Sequence, residues 1–279
     1  MPRNANTVWC DLMARILNEG HEVNPRGFKS REILCSTSIV DMSSPVVTIK
    51  ARNLGRRFQA AEAWWILSGK NDVASITQYS KQIANFSDDG LTFSGAYGPM
   101  VVDQLRYVVD SLYSDLETRQ AVMTIWRRNP RQGKDIPCTV SCQWLIRNGK
   151  LDCIDSMRSS DTWLGWPYDV FNFSMLSAYI LLMLRRRENL DGGYCHTTMP
   201  LFGKVELGKL YLVAGSQHLY ERDFDKVRWV LNRASDVEQY DPLDLNEFSS
   251  PGDFLKHLEL LKDRKDSGYK WQKEFLLKK

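Results

Sequence analysis

A chain of 279 residues, 43% of them hydrophobic, is long enough to bury a sizeable core. Its 37 Lys and Arg against 34 Asp and Glu leave a net charge of +3, which gives no ground for a nucleic-acid or membrane partner, so an anionic ligand must be met by a local cluster. The first twenty residues carry charges and no apolar signal core, the longest apolar run, AYILLML, falls far short of a membrane span, and the six cysteines lack CxxC or zinc-like spacing; these features read as a soluble, cytoplasmic chain with free thiols.

In chain order, the spacing of Val8, Leu12, Ile16 and Leu17 predicts a helix over 6–17, and RRFQAAEAWWILSG predicts a second over 56–69 with a glycine stop. QAVMTIWRR (120–128) reads as a strand, and residues 140–159 read as a hairpin pivoting on Asn148-Gly149. Residues 170–187 are apolar nearly all round, which predicts a buried helix lying on the sheet, and KLYLVAGSQHLY (209–220) reads as a further strand. The joints at 129–137 and 240–253 are short and no repeat is present. The expectation is a single α+β domain over 1–279, a mixed sheet packed with a long buried helix.

Several polar groups stand out against this frame. Strict alternation puts Cys138, Val140, Cys142, Trp144 and Ile146 on one strand face and Thr139, Ser141, Gln143 and Arg147 on the other. Taken alone, either cysteine suits a core position better than a nucleophile's; a thiolate needs nearby positive charge, for which Arg158, Arg119, Arg127 and Arg128 are candidates. The run Arg158 to Asp161 unites a guanidinium and two hydroxyls suited to phosphate oxygens, yet so short a string equally suits a turn with a satisfied arginine. Asp161 and Asp169 flank TWLGWPY, either as solvated loop residues or as carboxylates beside an aromatic wall. Glu62 sits on an apolar helix, where a carboxylate requires a partner, and His218 and Tyr220 project to one face of a strand.

Taken together, EAWWILSG, GAYGP, TRQAVMTIW, the Pro-Cys pair at 137–138 with Gln143 five residues on, the Asn-Gly hairpin, Arg-Ser-x-Asp, LGWPYD and GSQHLY resemble the thymidylate synthase family, in order from about residue 45 to 224. The resemblance implies that Cys138 adds to C6 of a pyrimidine nucleoside monophosphate and that C5 then attacks the one-carbon unit of 5,10-methylenetetrahydrofolate. It assigns Arg158 and Ser159 to the phosphate, His218 and Tyr220 to the sugar, Glu62 and Tyr97 to water and proton handling, and Asp161, Gly165, Tyr168, Tyr79 and Lys50 to the folate. It also implies a homodimer through the sheet, with Arg119 reaching the partner's phosphate; Gln120 stands where the family often has a second such arginine. Asp169 replaces the asparagine of the synthases. An acceptor-only carboxylate suits cytosine N4 and a protonated N3, so the resemblance is greatest to cytidylate 5-hydroxymethylases, acting on dCMP and quenching the intermediate with water. The alternatives are a folate-dependent methylase of dCMP or dUMP and a non-catalytic binding module. Thr139 replaces a usual histidine, KWQKEFLLKK does not resemble the family's closing segment, and Lys134 is a candidate partner should the substrate carry a 2'-hydroxyl.

Overall fold

The structure, a computed structural model, describes residues 4–130, 132–191 and 201–273. The helix α1 (Ala5–Glu19) and the strands β1 (His21–Val23) and β2 (Ser30–Asp41) are followed by α2 (Arg56–Leu67), α3 (Val73–Thr77) and α4 (Tyr97–Ser114). Then come β3 (Val122–Thr124), β4 (Thr139–Arg147), β5 (Lys150–Asp161), α5 (Trp166–Leu190), β6 (Glu206–Tyr220), α6 (Phe224–Leu231), α7 (Pro251–Lys262) and α8 (Lys270–Lys273). The six strands form one sheet in the order β1-β2-β6-β5-β4-β3. All neighbours are antiparallel except β5 and β6. A parallel pair needs a long crossover, and α5 supplies it.

The two predicted N-terminal helices form as expected, the first capped by Asn4, whose side chain accepts from the Thr7 N–H. The hairpin turns where its sequence says it should: Asn148 and Gly149 take left-handed φ of 52° and 71°, the backbone of a type I′ turn. The long apolar helix extends beyond the predicted 170–187 at both ends. By length and composition α5 could cross a membrane, but most of that stretch is buried against β5, β6 and the surrounding helices, so its hydrophobicity is that of a core element.

Two strand expectations need correction. The predicted strand over 120–128 pairs only across Val122–Thr124, because the next two N–H groups, of Ile125 and Trp126, both donate to the carbonyl of Val140 and end the ladder. Strict alternation in β4 fails as well. The register steps from Thr139↔Met157 to Ser141↔Ser156, leaving Val140 as the extra residue of a β-bulge. Thr139 therefore joins Cys142, Trp144 and Ile146 on the buried side, while Val140 turns outward. The bulge also uncouples Cys138 from the inner-face set to which alternation had assigned it.

Candidate active site

The loop that carries Cys138 is clamped by its hairpin neighbour. The Arg158 guanidinium donates to the carbonyls of Ile136 and Pro137, both at 2.9 Å, and to Ser159 Oγ at 3.0 Å, while the Arg158 N–H donates to the Cys138 carbonyl at 2.8 Å. Cys138 Sγ lies 3.8 Å from Ser159 Oγ. Burial pushes the Cys138 thiol up, Arg158 and Ser159 pull it down, and Asp169 and Asp161 push it up again. The net shift is upward, so the thiol keeps its proton until a base removes it. Among the candidate arginines, Arg158 acts on Cys138, whereas Arg127 acts on Asp135. Cys142 is fully buried, and its Sγ donates to Asp155 Oδ1 at 3.7 Å.

Helices bring in the remaining groups. Tyr97, the first residue of α4, stacks on Phe173 with ring centroids 6.2 Å apart, and its hydroxyl accepts from the Thr139 N–H at 3.1 Å. Burial, then the charges of Asp169 and Cys138, holds its phenol well above the usual range. Glu62 on α2 accepts from Asn172 Nδ2 at 2.7 Å; burial pushes its carboxyl up to about 7, against the opposing hydrogen bond from Asn172. Asp169 stands in the first turn of α5, its N–H donating to the Gly165 carbonyl at 3.0 Å. A Cβ on Gly165 would meet Asp169 Oδ2 at 3.2 Å and the Asp161 carbonyl at 3.4 Å, so glycine lets the turn close over the carboxylate. Burial, followed by Asp155, Glu62 and Asp161, holds the Asp169 carboxyl well above the carboxylate range.

The ends of β5 and β6 complete the wall. Asp161 Oδ1 accepts from the N–H groups of Trp163 and Leu164 at 2.9 and 3.0 Å, folding TWLG back on itself. Burial raises the Asp161 carboxyl, and His218, its register partner on β6, works against that rise. The rings of His218 and Tyr220 meet edge-on at 5.2 Å. The Tyr168 hydroxyl accepts from the Gly55 N–H at 3.3 Å.

Four predicted residues are placed apart from this group. The Tyr79 hydroxyl donates to Asp263 Oδ1 at 2.7 Å and accepts from Lys262 Nζ at 3.1 Å, at the C-terminal end of α7. Lys50 pairs with Asp236 at 2.6 Å on the surface. Arg119 is exposed, and its carbonyl accepts from Gln143 Nε2. Lys134 is exposed as well, its N–H bonded to Asp88.

Sequence reasoning missed Asn172, Asp155 and Arg52. Asn172 follows Asp169 by three residues on one helix, a spacing that puts both on one side. Asp155 is an aspartate at an inward position of β5, between Cys153 and Met157, and is fully buried. Arg52 lies 4.4 Å over the Trp163 ring and donates to the Trp163 carbonyl at 3.0 Å; Trp9 stacks on the same ring system at 5.7 Å.

Residues 7–274 match the sequence pattern of the family described as thymidylate synthase. The chain belongs to the thymidylate synthase family. It is 30% identical over 241 residues to a deoxyuridylate hydroxymethyltransferase of Bacillus phage SP01, covering 78% of this chain and 57% of that protein. It is also 34% identical over 133 residues to a deoxyuridylate hydroxymethyltransferase of Pseudomonas phage M6, covering 44% of this chain and 38% of that protein. This thymidylate synthase family member thus spans less than two thirds of the length of either relative. Within the family fold, the loop that carries Cys138, the start of α5 and the end of β5 lie close enough for Cys138, Asp169 and Asp161 to act on one another.

Proposed function

We propose that the chain hydroxymethylates C5 of a pyrimidine deoxynucleoside 5'-monophosphate, dCMP, with 5,10-methylenetetrahydrofolate as one-carbon donor. The observation that carries the choice of base is the buried carboxyl of Asp169 among Cys138, Tyr97 and Glu62. A carboxyl that passes its proton to cytosine N3 is left as an acceptor-only carboxylate facing the N4 amino group and the protonated N3. Cys138 Sγ adds to C6, its proton passing to the solvent network, and C5 becomes the carbon nucleophile. Arg158 and Ser159 bind the phosphate, and His218 with Tyr220 holds the sugar hydroxyl.

The folate fits the chain's residues at one wall: one oxygen of Asp161 is fixed by two backbone N–H groups, and the carboxyl so oriented can accept from ring N–H donors beside Gly165 and Tyr168. Tyr79 and Lys50 belong to the outer edge of that reading. The folate supplies a one-carbon unit at the oxidation level of formaldehyde. C5 would bond to that carbon; loss of the C5 proton with departure of tetrahydrofolate would leave an exocyclic methylene group, and addition of water to it with departure of Cys138 would give the hydroxymethyl product and restore the thiol. Glu62, titrating at about 7, is poised to hold that water and exchange the protons.

The sheet exposes Leu34, Ile39 and Val140, and Arg119 is exposed near the β3 edge, which supports a homodimer in which Arg119 serves the partner's phosphate. A second reading, dUMP as substrate, is favoured by the names of the two phage relatives. Mass spectrometry of products from dCMP, CMP and dUMP, each with methylenetetrahydrofolate, tests the proposal. The expected result is 5-hydroxymethyl-dCMP with tetrahydrofolate. A methylated nucleotide with dihydrofolate would overturn the reaction type, and product from dUMP alone would overturn the choice of base.

A further inference from the structure

Asn172 has no task in the chemistry above, and the two ends of its amide are unequally satisfied. Nδ2 donates to Glu62 Oε2 at 2.7 Å, which fixes the plane of the carboxamide, while Oδ1 is buried without a hydrogen-bond partner among the described residues. Gln59, one turn before Glu62 on α2, repeats the pattern. Its Nε2 donates to the Pro167 carbonyl at the start of α5 at 3.2 Å, and its Oε1 is buried and likewise without a partner among the described residues. The two side chains are only 7% and 1% exposed. A buried acceptor left without a donor is costly, and here two of them line the contact between α2 and α5 that carries Glu62. The donor small enough to reach such places is water, which needs two or more polar partners to stay.

A short chain of contacts ties Asn172 to the reacting sulfur. It follows Asp169 by one turn of α5, and the next residue, Phe173, stacks on Tyr97 at 6.2 Å. The Tyr97 hydroxyl in turn holds the Thr139 N–H at 3.1 Å, one residue from Cys138. What Asn172 adds to Glu62 is a second acceptor of fixed direction. A carboxylate alone holds one O–H of a water and leaves the molecule free to turn about that bond. With an amide oxygen beside it, both hydrogens are engaged and the lone pairs of the water oxygen face away from the protein, which is the orientation a nucleophile needs.

Resting on the reading that water quenches the exocyclic methylene group, we propose that Asn172 is a positioning residue that holds this water jointly with Glu62, the water donating one O–H to Asn172 Oδ1 and the other to the Glu62 carboxylate. The water oxygen bonds to the methylene carbon as its proton passes to Glu62. The electron pair of the methylene double bond moves into the ring, and the C6–S bond breaks with its pair leaving on Cys138. Asn172 thereby favours water over any other nucleophile that reaches the same carbon. The assignment holds for either base, because the methylene group is the same on cytosine and uracil.

The test sets water against an added thiol. Turnover of whichever of dCMP and dUMP the wild type accepts is run with methylenetetrahydrofolate and 2-mercaptoethanol, and mass spectrometry gives the ratio of 5-hydroxymethyl nucleotide to the 5-thioether formed when the thiol adds to the same methylene carbon. Both products descend from one intermediate, so the ratio is blind to losses in binding or in earlier steps, and tritium release from C5 reports that a variant still reaches that intermediate. Asn172→Leu and Asn172→Ala should lower the ratio by roughly tenfold or more. Asn172→Asp keeps an acceptor oxygen at the position and should hold the ratio within about twofold of wild type. A purely structural role for Asn172 would lower tritium release and both products together and leave the ratio in place. An unmoved ratio in Asn172→Leu and Asn172→Ala, an Asn172→Asp ratio as low as theirs, or loss of tritium release in all three variants overturns the proposal. The reading beneath it fails separately: a wild type that yields a methylated nucleotide and dihydrofolate has no water quench, whereas a wild type that yields the alcohol, with a ratio indifferent to residue 172, sinks the role of Asn172 alone.

Discussion

Cys138 and Cys142 stand four positions apart in one stretch of chain, and their surroundings are opposite in charge. Cys138 is half-buried beside the Arg158 guanidinium and the Ser159 hydroxyl, both of which favour a thiolate. Cys142 is fully buried beside Asp155, which disfavours one, and burial pushes its thiol well above the usual range. Sequence distance therefore says little about reactivity. A single extra residue at Val140 and the identity of the group across the hairpin, Arg158 or Asp155, divide the two sulfurs into a candidate nucleophile and an inert core residue.

The sharpest way to break this comparison is to exchange each sulfur for oxygen. Cys138→Ser should lower turnover by roughly a thousandfold or more, while Cys142→Ser stays within a few-fold of wild type. Equal loss in two folded variants would mean that the thiols have been assigned the wrong way round. A complex with 5-fluoro-dCMP and methylenetetrahydrofolate should be trapped covalently, since fluorine cannot leave C5 as a proton does, and peptide mapping should find the adduct on Cys138. Next in size is Asp169→Asn. Exchanging an acceptor-only group for one donor and one acceptor should shift the dCMP to dUMP ratio of kcat/KM by about ten- to a hundredfold.

Smaller in absolute rate is subunit complementation. Cys138→Ser and Arg119→Ala, each inactive alone, should recover part of the wild-type activity when mixed and allowed to exchange, because a mixed dimer has one site with both lesions and one with neither. Confirmed exchange without recovery would count against a shared site. The smallest effect concerns Glu62 and stability. Its folded carboxyl titrates at about 7, above the unfolded value, so the folded state holds a proton that the unfolded state has lost. Wild-type stability should consequently fall as pH rises from about 4.5 to 7 and then level off. Urea unfolding at pH 8 should find Glu62→Gln more stable than wild type by roughly 1–3 kcal/mol, with little difference near pH 4.

Much of the fold was legible because its signals are local. The Asn148-Gly149 turn, the all-round apolarity of α5 and the cap at Asn4 each lie within a few residues of the structure they specify. The bulge at Val140 was not legible, since it exists only in the register between β4 and β5. The surroundings of Tyr79 depend on Lys262 and Asp263, which no local pattern ties to it. Within the candidate site, the motif marks Cys138, Arg158, Asp161 and Asp169 in the sequence, but the burial that pushes Glu62 and Asp169 upward is a sum over many neighbours. Asp155 was open to view as a charged residue at an inward strand position, and its complete burial depends on elements far from it in sequence.

The single parallel pairing in the sheet has a consequence for the order in which the protein assembles. β4 and β5 meet through a two-residue turn, so the Cys138 loop and Arg158 can associate as soon as that hairpin closes. β6 can join β5 only after the whole of α5 has crossed back over the sheet, which makes the pairing of Asp161 with His218 a long-range event. Asp169, the His218 and Tyr220 pair and the fixed Asp161 carboxyl thus come together with the last large loop closure. Pulse-labelled hydrogen exchange during refolding should protect the amides of 139–157 before those of 210–218. A partly folded chain would then carry the Cys138 sulfur without the groups that surround it in the folded protein, leaving that thiol open to oxidants and alkylating agents until β6 has docked.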